Sequence, residues 1–480
     1  MSSPPSFSSR AFGLSLGAAA LGALACMWKA WCDFPFYAWN EIRLAPAFAV
    51  RHGLNPYPLL GDGPLTTWIY GPIGLLINLP ATFAPSAASA VQAAAVINAL
   101  VILAPLAIIF FASAELRARG MTTCFLALAL SVLLLPSPNL ALQVADHSAI
   151  ACGLLSCWYL ARQSNPRGSR LAIAAAFCAL AVWSKQIAVF LVPAQLIFLA
   201  RGSGLRTATQ YFAWFTGFSL LALGVFAWAF GFPNLWLNLV AIPGRLPWAP
   251  FVGRLALRPW SLLAQIVVPA GALFVLYRAR FWPTREREGG RFFQLGALAF
   301  LAMLPVGLAA FFKIGGDTNL LHSWDYLLPA GLLLWLSADR VLPSAPVRVF
   351  AVTVFALAIR GADLVSLPVR PFTRQFDAAV ELTRLYPRTI WFPQNPLITF
   401  YTDRRLWHSE DGILTRYVAE QRRREPDLNG HLLGSLRHHL PDPLRAIAYP
   451  ASVAIPSALP LLPEFREKSP SRYWTIYTPA

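Results

Sequence analysis

ASAVQAAAVINALVILAPLAIIFFAS, residues 88–113, carries no charged side chain, and AELRAR, residues 114–119, follows it with two arginines. The hydrocarbon core of a bilayer is about 30 Å thick, and a helix rising 1.5 Å per residue crosses it in roughly 20 apolar residues. The run is therefore read as a membrane crossing. Its arginines mark the cytoplasmic end, because Lys and Arg gather on that side.

The same alternation recurs on both sides of this stretch. Further apolar runs fall near 12–31, 121–136, 147–161, 171–184, 187–200, 207–231, 261–277, 292–312, 324–337 and 347–360. Arg117 and Arg119, then Arg162, Arg167 and Arg170, then Arg201 and Arg206, then Arg278 to Arg291, then Arg340 and Arg348 occupy every second connection. That spacing makes 147–161 and 171–184 antiparallel neighbours. The parity closes when 65–84 does not cross, and Pro64, Pro72, Pro80 and Pro85 suit an interfacial or re-entrant segment there. The expectation is an α-helical polytopic membrane protein of about eleven crossings. The N-terminus is expected in the cytoplasm and the C-terminus outside.

Composition agrees. Hydrophobic residues make up 57% of the 480 and charged residues 13%, against about 25% charged in soluble domains. So few charges exclude a soluble enzyme, and so many apolar residues exclude disorder. The net charge of +17 is concentrated in residues 1–360, where 24 Lys+Arg face 10 Asp+Glu. Those arginines sit in short connections, so they report topology and not nucleic-acid binding. All six cysteines lie in or beside apolar segments without a CxxC pair, which gives no support to zinc or redox sites.

Two regions follow: a transmembrane body over 1–360, with a long first outer loop at 32–87, and a small extracytoplasmic α/β domain over 361–480. In the tail, helices are expected near 373–386 and 413–425. Strands are expected near 389–393, 398–402, 445–449 and 473–478.

The acidic residues of the body divide by side. Glu115, Glu286, Glu288 and Asp339 fall among cytoplasmic arginines, whereas Asp33, Glu41, Asp62, Asp146, Asp317 and Asp325 fall at outer ends or loops. His52, His147 and His322 join them, as do Lys185 and Lys313. Such convergence on one face suits a site at the membrane surface. Asp33 ends the first run beside Phe34, Tyr37 and Trp39, where apolar neighbours raise a carboxyl pKa and favour a general base. Lys185 in WSKQ reads as an interfacial snorkel or a phosphate partner. Arg245, Arg254 and Arg258 stand on the side where positive charge is disfavoured, which points to an anionic headgroup. In KIGGDTNLLHSWDY (313–326), glycines permit a close backbone approach, and the polar residues offer hydrogen bonds to sugar or phosphate. Asp317, His322 and Asp325 are metal-ligating types, but their spacing matches no ligand motif. No cofactor is called for. In the tail, His408, Glu410 and Asp411 read as surface or acceptor-contacting residues.

Asp33-Phe34 and Tyr37, then Gly53-Leu54-Asn55-Pro56-Tyr57, then Tyr70-Gly71-Pro72 with Pro80, resemble the first outer loop of GT-C superfamily glycosyltransferases. The resemblance is to polyprenyl-phosphate-dependent enzymes of the α-mannosyltransferase type (family 87-type), and more loosely to lipid A and protein O-mannosyl transferases. Tyr-Gly-Pro departs from the commoner Tyr-Pro-Pro, and a single Asp33 stands where some members have adjacent acids. The resemblance implies transfer of a hexose or pentose from a polyprenyl-phosphate donor to an envelope lipid, glycan or protein, on the outer face of the bacterial inner membrane. It implies inverting attack with Asp33 as base and with Glu41 and His322 as further catalytic residues, His322 binding the donor phosphate or assisting the base. Lys185, Arg245, Arg254, Arg258 and Lys313 would meet the donor phosphate. Tyr37, Asn55, Tyr57, Tyr70, Asp146, His147, Gln186, Asp317 and Asn319 would contact substrate. The rival reading is a transporter or lipid flippase. Transporters concentrate ionisable groups at the midplane in repeated halves, and this sequence has neither feature.

Overall fold

In the computed structural model the described residues are 38–66, 68–118, 120–121, 124–125, 127–128, 145–250, 253, 262–278, 283, 285–314, 316, 322–338, 373–421, 434–451, 462 and 464–480. The expected spans 12–31 and 347–360, and most of 121–136, lie outside them.

The fold is mostly helical. Its main helices are α1 (Ala38–Arg51), α2 (Ala87–Ala112), α3 (Asp146–Ala161), α4 (Ser169–Ser184), α5 (Leu191–Ser203), α6 (Leu205–Phe230), α7 (Val268–Arg278), α8 (Glu288–Phe311) and α9 (His322–Ala338). Four helical stretches among the described residues are long and apolar enough to cross a membrane: α2, Gln186–Ser203, α6 and α8. α2 begins where Ser86 and Ser89 exchange side-chain and backbone hydrogen bonds in a capping box, which satisfies amide groups that have no intrahelical partner.

α3 and α4 pack side by side, as the arginine spacing predicts. Ser156 Oγ donates to Ala174 O at 2.7 Å, Gln195 Nε2 donates to Ser156 Oγ at 2.8 Å, and the Tyr211 hydroxyl donates to Gln195 Oε1. This polar seam joins α3, α4, α5 and α6. Interhelical hydrogen bonds of this kind contribute about 0.6–2 kcal/mol each within a bilayer. α8 and α9 meet through small residues. A Cβ on Gly331 would lie 2.7 Å from Phe293 Cα, and one on Gly289 would lie 2.6 Å from the Leu334 carbonyl carbon. α6 presents Leu220, Leu221, Val225 and Trp228 outward, a face that suits lipid.

The end that the arginine pattern assigns to the cytoplasm is knotted by its charges. The Glu115 carboxylate accepts from the amides of Glu288 and Gly289 at 3.1 and 3.4 Å, capping α8. Arg291 donates to the carbonyls of Ala161, Arg162, Arg285 and Glu286 at 2.6–3.1 Å.

At the opposite end, 65–84 forms two short turns of helix, Pro72–Leu76 and Leu79–Phe83, each started by a proline and too short to cross. The tail contains α10 (Thr373–Leu385), α11 (Pro396–Asp403), α12 (Glu410–Gln421) and a four-stranded sheet. The strands are β1 (Ile390–Trp391), β2 (Ala446–Pro450), β3 (Phe465–Pro470) and β4 (Trp474–Pro479), in the order β1-β2-β4-β3. β1 and β2 run parallel, and the other pairs are antiparallel. One expectation is corrected here: 398–402 is helix, not strand. Its β-branched and aromatic residues favour strand, but Pro396 at the first helical turn fixes φ for a helix, and Pro396 to Phe400 are all buried. β3 was not expected from the sequence, because FREKSP has no alternating apolar pattern.

The tail is docked on the first loop. Leu397 and Phe400 of α11 pack with Leu44, Ala45 and Phe48 of α1. Leu65 packs with Trp391, Trp407 and Ile413.

Candidate active site

Two motifs of the sequence meet at the C-terminal end of α4. The Gly71 amide donates to Ser184 O at 3.1 Å, and a Cβ on Gly71 would lie 1.8 Å from Trp183 O. Gly71 has φ −64°, which any residue can adopt, so glycine is selected here for space. The amide and the missing Cβ together explain why Tyr-Gly-Pro stands where Tyr-Pro-Pro is commoner. Proline would lose the donor and collide.

This contact presses Tyr70 against Lys185, whose Nζ lies 5.6 Å from the ring centre. The Arg43 guanidinium from α1 lies 5.1 Å from the same ring. Both side chains face a cavity of about 460 Å³. Its polar lining is Arg43, Tyr70, Lys185, Gln186, Lys313, Asp411 and Thr415, with Gly316 at one turn. Its apolar lining is Ile69, Ile187, Val189, Phe190, Leu239, Pro243, Leu246, Val306, Ala310, Ile314, Leu414 and Val418. The walls thus come from α1, the first loop, the turn after α4, the segment 239–246, α8 and α12. A space that is positive at some walls and hydrocarbon-like at others suits an anion that carries an apolar chain.

Five of these polar side chains are held by neighbours. Lys185 is 2% exposed and forms an ion pair with Asp146 at the start of α3. A buried ammonium would be costly without that partner. Gln186 Nε2 donates to the carbonyls of Ile69 at 2.7 Å and Leu239 at 3.1 Å, tying both walls together. Lys313 Nζ donates to Pro243 O at 2.9 Å, and its backbone bridges to Trp248. Arg43 pairs with Asp411 at 3.8 Å.

The structure matches that of ArnT from Cupriavidus metallidurans bound to undecaprenyl phosphate over 98% of both chains, at a TM-score of 0.55 and 10% identity. The chain shares the fold of that protein. No protein-family model matches the sequence, and no curated protein does.

Within this fold the expected residues separate. Tyr70, Lys185, Gln186 and Lys313 come together on the cavity, with Asp146 behind Lys185. His147 is buried beside Asp146 and does not line the cavity. Asn55 and Tyr57 build the loop: Asn55 Nδ2 donates to Phe230 O at 2.8 Å, and the Tyr57 hydroxyl donates to Tyr70 O at 2.8 Å. Arg245 ends a short helix, Ile242–Arg245, and is not among the lining residues. Glu41 is turned toward the tail, accepting from Asn395 Nδ2 at 2.6 Å and the Leu397 amide at 3.2 Å. Burial raises its carboxyl pKa to about 8 against those two hydrogen bonds.

Asp33, Tyr37, Arg254, Arg258, Asp317 and Asn319 lie outside the described residues, as do the side chains of His322 and Asp325. Among the described residues no group of three His, Cys, Asp or Glu is arranged to hold a metal ion.

Two cavity residues escaped the sequence reading, Arg43 and Asp411. Arg43 carried the same signal as Arg245, a positive charge on the outer side. The sequence reads Asp411, with His408 and Glu410, as a surface or acceptor-contacting residue; the surface alternative is corrected, because His408 and Glu410 are buried and Asp411 lines the cavity. His408 is buried, with Nδ1 accepting from the Leu65 amide at 2.8 Å. Its Nε2 must then carry the proton and donate to Leu436 O at 3.1 Å. Burial, reinforced by His439, depresses its pKa to about 3 and keeps it neutral. Glu410 is buried and accepts from Gln394 and Tyr449.

Proposed function

We propose that this chain is a membrane glycosyltransferase that takes a sugar from a polyprenyl-phosphate donor and transfers it to an acceptor hydroxyl of the cell envelope. The observation that carries the reading is the cavity, where Arg43, Lys185 and Lys313 from three separate segments share one space with apolar walls. The fold likeness to a protein bound to undecaprenyl phosphate points the same way. The setting is the outer face of the cytoplasmic membrane, with the arginine-rich connections inside.

In this mechanism the lipid phosphate sits among the three cations and the isoprenoid chain runs along the apolar walls. Asp33 takes the proton of the acceptor hydroxyl as its oxygen attacks the anomeric carbon. The bond from that carbon to the phosphate oxygen breaks with inversion, and polyprenyl phosphate leaves. Positive charge is most valuable on the departing phosphate, because an oxocarbenium-like transition state lengthens that bond early. Asp317, Asn319 and His322 are proposed to contact the sugar or its phosphate, and Arg254 and Arg258 to add positive charge at the entrance.

The test is mass spectrometry of envelope glycolipids and glycans from a deletion strain, complemented with wild type or with Asp33→Asn. The expected result is a product lighter by one sugar in the deletion strain, restored by wild type alone. Restoration by Asp33→Asn would overturn the base assignment. An unchanged glycan profile would overturn the transferase in favour of a transporter.

A further inference from the structure

The two cations nearest Tyr70 are partnered in different ways. Lys185 and Asp146 form a close pair whose side chains are 3% and 5% exposed, and Asp146 stands behind the lining. Arg43 and Asp411 are 3.8 Å apart, 13% and 15% exposed, and both face the cavity. The first pair is the more deeply buried, and the second is the more accessible from the cavity.

Asp411 is held in place independently of Arg43. It lies in the first turn of α12. Ser409, two residues earlier, donates through its amide and hydroxyl to Leu65 O, at 3.0 and 3.1 Å. The following Gly412 leaves no room for a Cβ, which would lie 2.3 Å from the same oxygen. The tail therefore fixes a carboxylate in the cavity wall, where an entering phosphate must compete with it for one guanidinium.

We infer that Asp411 is the exchangeable counter-ion of Arg43: it competes with the lipid phosphate and thereby sets how tightly polyprenyl phosphate is held and how readily it is released. Arg43 moves from carboxylate to phosphate on binding and returns on departure, and Lys185 stays with Asp146 throughout. This inference rests on the donor-site reading above. Removing the Asp411 charge removes one competitor for Arg43 and a repulsion within a few ångströms of the phosphate. At an effective dielectric between protein and water, such a repulsion corresponds to about five- to tenfold in affinity.

The test is binding of undecaprenyl phosphate to the purified full-length protein in nanodiscs. Asp411→Asn and Asp411→Ala are expected to bind about five- to tenfold tighter, with slower dissociation. Asp411→Glu, which keeps the charge, is expected to bind within about twofold of wild type. A residue serving structure alone would give weaker binding when removed, so unchanged or weaker binding by both neutral variants would overturn the competition. Arg43→Ala and Lys313→Ala separate the two readings. If neither weakens binding, the donor site itself is wrong. If they weaken it and the neutral Asp411 variants bind no tighter, the donor site stands and the competition falls.

Discussion

Glu41 joins segments 354 residues apart, accepting hydrogen bonds from Asn395 and the Leu397 amide in a fully buried place. Burial raises its pKa from 4.5 to about 8, so the folded protein holds a proton that the unfolded chain releases. Its contribution to stability is complete below about 4.5 and is lost as pH rises through about 8. The thermal midpoint of the purified protein should therefore contain a component that declines across that window. Glu41→Gln, which cannot ionise, should remove this component, and an identical pH profile would show that Glu41 is not the titrating group. Glu41 was legible as an unusual outer carboxylate. Its partners were not, because Asn395 and Leu397 give no sequence signal of where they dock.

Between elements, the decisive contact is the first loop on the end of α4. The loop's amide at Gly71 and the absence of its Cβ let Tyr70 reach Lys185. Gly71→Ala places a methyl group 1.8 Å from Trp183 O, a distance that no side-chain rotation relieves. The loop must lift, and overpacking of this kind costs about 1–3 kcal/mol. Binding of undecaprenyl phosphate is expected to fall at least tenfold while the protein still purifies as a folded species. Binding at the wild-type level would mean that the loop does not form the cavity wall. The helices themselves were legible, because runs without charge bounded by arginines leave few alternatives in a bilayer. The helix at 396–403 was misread because local propensity favoured strand and burial in the docked tail overrode it.

Over the whole molecule, the tail and the membrane body form one site. α11 packs on α1, α12 supplies Asp411, and Phe400 touches Phe48 and His52 with ring centres at 4.9 and 4.7 Å. Phe400→Ala should cost about 3–5 kcal/mol at this junction. It should increase proteolytic cutting of the tail and weaken undecaprenyl phosphate binding together. Cutting without loss of binding would show that the donor cavity does not need the tail in place.

The sequence by itself determined the helical membrane character of the chain, the placing of several apolar helices, and the cationic residues Lys185 and Lys313. These follow from the bilayer, which imposes length, polarity and charge sign on each segment separately. Only the tertiary structure decided that Arg43 and Asp411 face each other across the cavity, that Asn55 and Tyr57 support the loop, and that His408 is a buried neutral bridge. Those roles depend on which of two distant segments presents which side chain, and no local pattern encodes that choice.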